Sequence, residues 1–167
     1  IKNQSVILSK EEKQAIKNIK DAPLQLMDTS KKSPFTFNGE EVRMINFSGE
    51  TFDRYSVVYF TRSRVVYMGH HFFAGMFPRI DVGRGADVEK YTDTISAVSE
   101  EVPEEAKIIP GYGSLSTKDD LNNYKRMLIE TTAVVRLKIK DGKDKKTIQR
   151  EGLGEQWSMW GTGLVST

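Results

Sequence analysis

The chain has 167 residues, 38% hydrophobic and 29% charged, the make-up of one globular domain able to bury about two-thirds of its unfolded surface. Its 25 basic and 23 acidic residues leave a net charge of +2, too balanced for nucleic acid or an anionic membrane to be the main partner. The absence of cysteine excludes disulfides, thiolate metal sites and a cysteine nucleophile.

Residues 9–20, "SKEEKQAIKNIK", open with a capping box, Ser9 with Glu12 three positions on, and predict a helix. Only Ala15, Ile16 and Ile19 are apolar there, so the helix is short and lies at the surface. Pro23 and Pro34 mark residues 21–34 as a connector. In "FTFNGEEVRMINF", Asn38-Gly39 separates two alternating runs and predicts a hairpin, because both residues accept the positive φ of a tight turn. "YSVVYF" (55–60) and "VVYM" (65–68) flank the polar turn "TRSR". They are almost continuously apolar, which predicts strands covered on both faces.

A glycine and two histidines follow at the strand's end, in "VVYMGHHFFAGMFPRID". "FPRIDVGRGADVEKY" carries Gly83 and Gly85 ahead of a helix; it lacks a phosphate-loop signature and reads as a loop feeding a helix with Asp87 in its first turn. Over 87–102, Val88, Tyr91, Ile95, Val98 and Val102 trace one buried stripe, and Pro103 stops the helix. "AKIIPGYG" (106–113) is a short strand ending in a Pro-Gly turn. Thr117 caps the next helix, with Asp119 and Asp120 favourable to its dipole and Leu121, Tyr124, Leu128 and Val135 as its stripe. That helix ends near Asp141-Gly142, and "KTIQREG" forms a short helix closed by Gly152. Trp157 and Trp160 sit on a short tail, where docking on the core is the first expectation and an exposed interface patch the second. The pattern is α/β or α+β, within one domain spanning 1–167.

The chemistry-bearing residues are few. His70 and His71 are the only histidines, and neighbours in a strand point to opposite faces. A zinc site there needs three or four ligands, and would recruit Asp81, Asp53 or Glu50. The plainer reading is one histidine packed and one solvated. Tyr112 stands at the sheet's C-terminal edge, where open α/β sheets bind ligands; it is either an acid or anion-binding hydroxyl, or a turn residue covering the edge. The basic run Arg136, Lys138, Lys140, Lys143, Lys145, Lys146 and Arg150 is broken by Asp141 and Asp144 and reads as a solvated face complementing a helix C-terminus.

Taken in order, "YSVVYF", "VVYMGHHFFAGMFPRID", "DVEKYTDTI", "AKIIPGYGSLSTKDDLNNYKRML", "DGKDKKTIQREGL" and "WSMWGTG" resemble the C-terminal half of metallo-β-lactamase-fold hydrolases over roughly residues 40–167. The resemblance implies half of an αββα sandwich over residues 36–167, a mixed sheet with helices on one face, following the N-terminal helix and connector read above over 1–35. It also implies zinc at one sheet edge. The family's His-x-His-x-Asp-His motif is missing from this sequence. The histidine of its His-Thr-x-Gly-Asp-Ser segment falls on Thr51, or on Glu50 with a one-residue shift. The bridging aspartate of Gly-Asp-x-Phe-Phe is His70, and the histidine of Pro-Gly-His-Gly is Tyr112. Hydroxyls that keep their protons at neutral pH are poor zinc ligands, and without zinc no water is activated.

These departures predict a metal-free, non-catalytic relative that acts by binding or self-association, with neither nucleic acid nor membrane as partner. The rival expectation is a zinc-dependent hydrolase with a rearranged site built from His70 and His71 with Asp81, Asp53 or Glu50. A third is an engineered or excised fragment, in keeping with a chain that begins at Ile1. Half a sandwich leaves an apolar sheet face to be covered. A homodimer, a separate N-terminal piece or residues 1–35 would serve. The homodimer is the preferred expectation, with an interface above ~2,000 Å².

Overall fold

The computed structural model describes residues 34–45 and 57–163. The helix expected over 9–20 lies outside them, as do Glu50, Thr51 and Asp53. The described residues all fall in one compact unit, Lys31–Thr167.

Among the described residues five strands form one sheet in the order β1-β2-β3-β4-β5. They are β1 (Phe35–Phe37), β2 (Glu40–Ile45), β3 (Val57–Phe60), β4 (Val65–Phe73) and β5 (Lys107–Tyr112). The first three pairings are antiparallel and β4–β5 is parallel, so the sheet is mixed. The β1–β2 hairpin turns as the sequence requires: Asn38 has φ 51° and Gly39 φ 75°. The parallel pair needs a crossover, which α1 (Val88–Glu101) supplies. After β5 come α2 (Lys118–Lys140) and α3 (Lys145–Glu151), then a 3-10 helix over Glu155–Thr162.

Each helix is bounded by local chemistry. The Asp87 side chain caps α1, accepting from the Glu89 amide at 2.8 Å; it stands just before the helix, one position short of the expected place in its first turn. Gly83 is the middle residue of a one-turn 3-10 helix at Val82–Arg84, and Gly85 caps its end. Thr117 caps α2 in a capping box with Asp120, the residue at N3. Asp144 caps α3, and backbone and side-chain hydrogen bonds from Thr147 hold its carboxyl below the usual carboxylate range. At the other end of α1, Lys118 is buried with its ammonium donating to the Ser99 and Val102 carbonyls. A cation there satisfies orphan carbonyls and complements the helix dipole. Sequence pattern alone gave no sign of this role, because Lys118 comes from a different helix.

The register sorts the strands into two faces. Val57, Val66, Met68 and Ile108 are fully buried against Tyr91, Ile95, Val98, Leu121, Tyr124 and Leu128 of the helices. On the other face one row crosses four strands, Met44–Val58–Tyr67–Ile109. Here the expectation of strands covered on both faces fails: Tyr67 is 46% and Ile109 41% exposed. Among the described residues the helices pack on the first face, while on the second Val42 is buried and Tyr67 and Ile109 are exposed. The tail behaves as predicted, with Trp157 buried and Trp160 packed partly into the core.

Strand β4 also runs further than its apolar stretch suggested. Instead of stopping at Met68 it continues through His70 and His71 to Phe73, because β5 pairs with it along this length. Two tyrosines fasten this extension to the helices. Tyr91 of α1 donates its hydroxyl to the His71 carbonyl at 3.0 Å, and lies 2.6 Å from the Tyr124 hydroxyl of α2. Tyr124 in turn takes a backbone hydrogen bond from Phe73. With the Tyr91 proton committed to His71, Tyr124 is the donor between the two hydroxyls. Burial pushes both phenols well above the ordinary value of 10.0.

Tyr91→Phe leaves a buried carbonyl and a buried hydroxyl short of a partner, and is expected to lower unfolding free energy by about 1–3 kcal/mol in urea titration. An unchanged midpoint would remove the pair from the fold's supports. The same burial sets an alkaline limit. The neutral pair contributes its full stability below pH 10, the unfolded value, and loses it as pH climbs towards the raised folded values. The wild type is therefore expected to lose more stability than the Tyr91→Phe, Tyr124→Phe double variant above pH 10, read by denaturant titration across that range.

Candidate functional site at the rim of β4 and β5

The C-terminal ends of β4 and β5 bring two of the singled-out residues together. His70 is exposed, and its ring centroid lies 5.6 Å from that of Tyr112. Tyr112 in turn stacks on Phe73, with centroids 4.7 Å apart and planes 12° from parallel. The three rings make a small aromatic rim. Phe73 was missed from sequence, where "GHHFF" gave no sign that its second phenylalanine reaches the adjoining strand.

The rim depends on an unusually close backbone approach. Gly69 has φ 50° and faces Pro110, and the register then slips before Phe73 meets Tyr112. A Cβ built on Gly111 would fall 2.3 Å from the Gly69 carbonyl oxygen and 3.0 Å from the His70 amide nitrogen. Only glycine fits there. The Ala74 amide then donates to the Tyr112 carbonyl at 2.9 Å, closing the parallel pair. Past the rim the chain folds back, and Ser116 exchanges both backbone hydrogen bonds with Ile108 at 2.8 and 2.9 Å.

The two histidines part company. His71 is buried at 1% exposure while His70 is exposed, as strand neighbours should be. Asp81 is exposed in the loop before α1. Among the described residues no group of three or more His, Asp or Glu side chains is placed to hold a metal ion, so His70, His71 and Asp81 do not form one by themselves. Structural zinc takes four ligands and catalytic zinc three, and the described rim presents one exposed imidazole beside a phenol. The described donors do not fit a zinc centre.

Solved structures share a likeness with part of this fold. The fold is similar to that of metallo-beta-lactamases. A metallo-beta-lactamase from Pontibacter korlensis matches at 17% identity and a TM-score of 0.49, covering 59% of this chain and 46% of that one. The BLEG-1 B3 metallo-beta-lactamase matches at 20% identity and a TM-score of 0.49, over the same shares of 59% and 46%. VMB-1 matches at 15% and 0.45, over 59% and 45%. The chain thus spans about half the length of the metallo-beta-lactamase structures it matches. No family model matches the chain, and no curated protein does.

Gly111→Ala tests the close approach. Overpacking against backbone is expected to cost about 1–3 kcal/mol and to separate the ends of β4 and β5, read as a lowered melting temperature with faster amide exchange at Ala74. Unaltered melting and exchange would show that the approach tolerates a methyl group.

Proposed function

We propose that the chain is a non-catalytic binding module that works through self-association across the second face of its sheet. The observation that carries this reading is the row Met44–Val58–Tyr67–Ile109, one residue from each of four strands, without a charge. Val58 and Met44 are half-buried, Tyr67 and Ile109 exposed, and half-buried Phe60 and Val65 adjoin them in the next row. Contiguous exposed apolar surface marks interfaces. An uncharged row meets its own symmetry mate without like-charge repulsion, so a second copy suits it in a closed two-fold dimer.

The chemistry of the rim supports the non-catalytic part. A zinc-dependent hydrolase drawing on His70 and His71 needs both imidazoles on one ion, yet one is exposed and its neighbour buried. Its further ligands would have to include Glu50 or Asp53, outside the described residues. The module is therefore read as metal-free, with His70 and Tyr112 as an aromatic rim.

Light scattering after size exclusion and elemental analysis on one sample test both parts. The expected mass is twice the 19.0 kDa of the chain, with substoichiometric zinc. Tyr67→Lys combined with Ile109→Lys should raise the dimer dissociation constant at least ~30-fold, the effect of losing a central interface residue. A strict monomer at micromolar concentration defeats the self-association. One zinc per chain, lost when both histidines are replaced by alanine, defeats the non-catalytic reading.

A further inference from the structure

The long helix α2 presents an exposed outer face. Tyr124, Leu128 and Thr131 are buried on its inner side, and Arg136 pairs with Glu89 on the side of α1. At 3.6 residues per turn, the outer side carries Asp119, Arg126, Ile129, Ala133, Leu137 and Lys140, all exposed. Ile129 is 49% and Leu137 60% exposed, a pair of apolar side chains set among charges. Glu130 stands exposed at their edge.

The charges on this face match the same face turned end for end. Two copies of α2 laid antiparallel, with Asp119 opposite Lys140, have their two-fold axis between Ile129 and Glu130. The same ion pair then repeats at the far end, roughly 32 Å along the helix. Each Arg126 falls opposite Ala133 of the other copy, whose methyl leaves room for the arginine stem, and lies about one turn from that copy's Glu130. The two Ile129 side chains meet at the axis. Asp119, Glu130 and Lys140 form no ion pair among the described residues.

The helical layer is polarised in the same sense. Lys118 donates to carbonyls at the end of α1, and Arg136 pairs with Glu89 at its start, so α1 and α2 run antiparallel. Glu100, Glu101 and Glu104 therefore lie towards one end of the layer, and Lys145, Lys146 and Arg150 follow α2 at the other. A parallel pair of copies sets like charge against like. An antiparallel pair sets opposite charges together at both ends.

We propose that the outer face of α2 binds a second copy of this chain in an antiparallel two-fold contact, with Asp119–Lys140 pairs at its ends and Ile129 at its axis. The contact is separate from the sheet face and does not rest on pairing there. Its apolar centre is small and its ion pairs are open to salt, so it is the weaker of the two, with a dissociation constant on the order of 100 μM.

Sedimentation equilibrium from ~10 μM to ~1 mM in low salt tests this, with every chain carrying Tyr67→Lys and Ile109→Lys so that the sheet face takes no part. A monomer–dimer equilibrium is expected, weakening in about 0.5 M salt. Adding Lys140→Glu, or adding Asp119→Lys, should raise the dissociation constant at least ~10-fold. An equimolar mixture of those two variants should return to within ~3-fold of the starting value, because each supplies the charge that the other has lost. A protein that stays monomeric to ~1 mM, a dimer indifferent to both reversals, or a mixture as weak as its components would overturn the proposal. Self-association through the sheet is read separately, from chains that keep Tyr67 and Ile109.

Discussion

Everything that positions the rim depends on how β4 is held past Met68. A parallel strand beside it supplies hydrogen bonds on one edge, but the helical layer must also grip it or the two phenylalanines cannot bury. Two phenolic hydroxyls do this, one from each long helix, linking the His71 carbonyl through Tyr91 and Tyr124 to the Phe73 amide. Buried polar groups of this kind are costly when unpaired and specific when fully paired. The linkage sets the distance between sheet and helices at the one place where the strand's apolar pattern has given way to histidines.

Much of this was legible in the residues, for reasons that can be named. Asn38-Gly39 permits one kind of turn, and the hairpin formed there. The 3,4 spacing of Tyr91, Ile95 and Val98 leaves a helix only one face to bury. Thr117 and the aspartates after it start α2 where a cap must lie. Local chemistry dominates at each of these positions, so sequence suffices.

What sequence did not give is what depends on distant neighbours. The extension of β4 to Phe73 is decided by pairing with β5, some forty residues later, against an intrinsic pattern that reads as a strand end. Lys118 stands in the first turn of one helix and closes the C-terminus of another, which no local pattern marks. The second sheet face read as covered because its residues are apolar; composition states what a face prefers and is silent on what lies against it. Gly111 carried a usable signal in the Pro-Gly-Tyr-Gly run, although a turn and a close strand approach leave the same mark.

The fold-back of Ser116 onto Ile108 has an effect on how copies can meet. It occupies the backbone groups that β5 would otherwise offer sideways, and Pro110 lacks an amide altogether. With that margin sealed and β1 only three residues long, the sheet has little purchase for lateral strand addition. Among the described residues, that engaged stretch of β5 and the short β1 are the two lateral margins of the sheet, and neither offers a long run of free backbone groups.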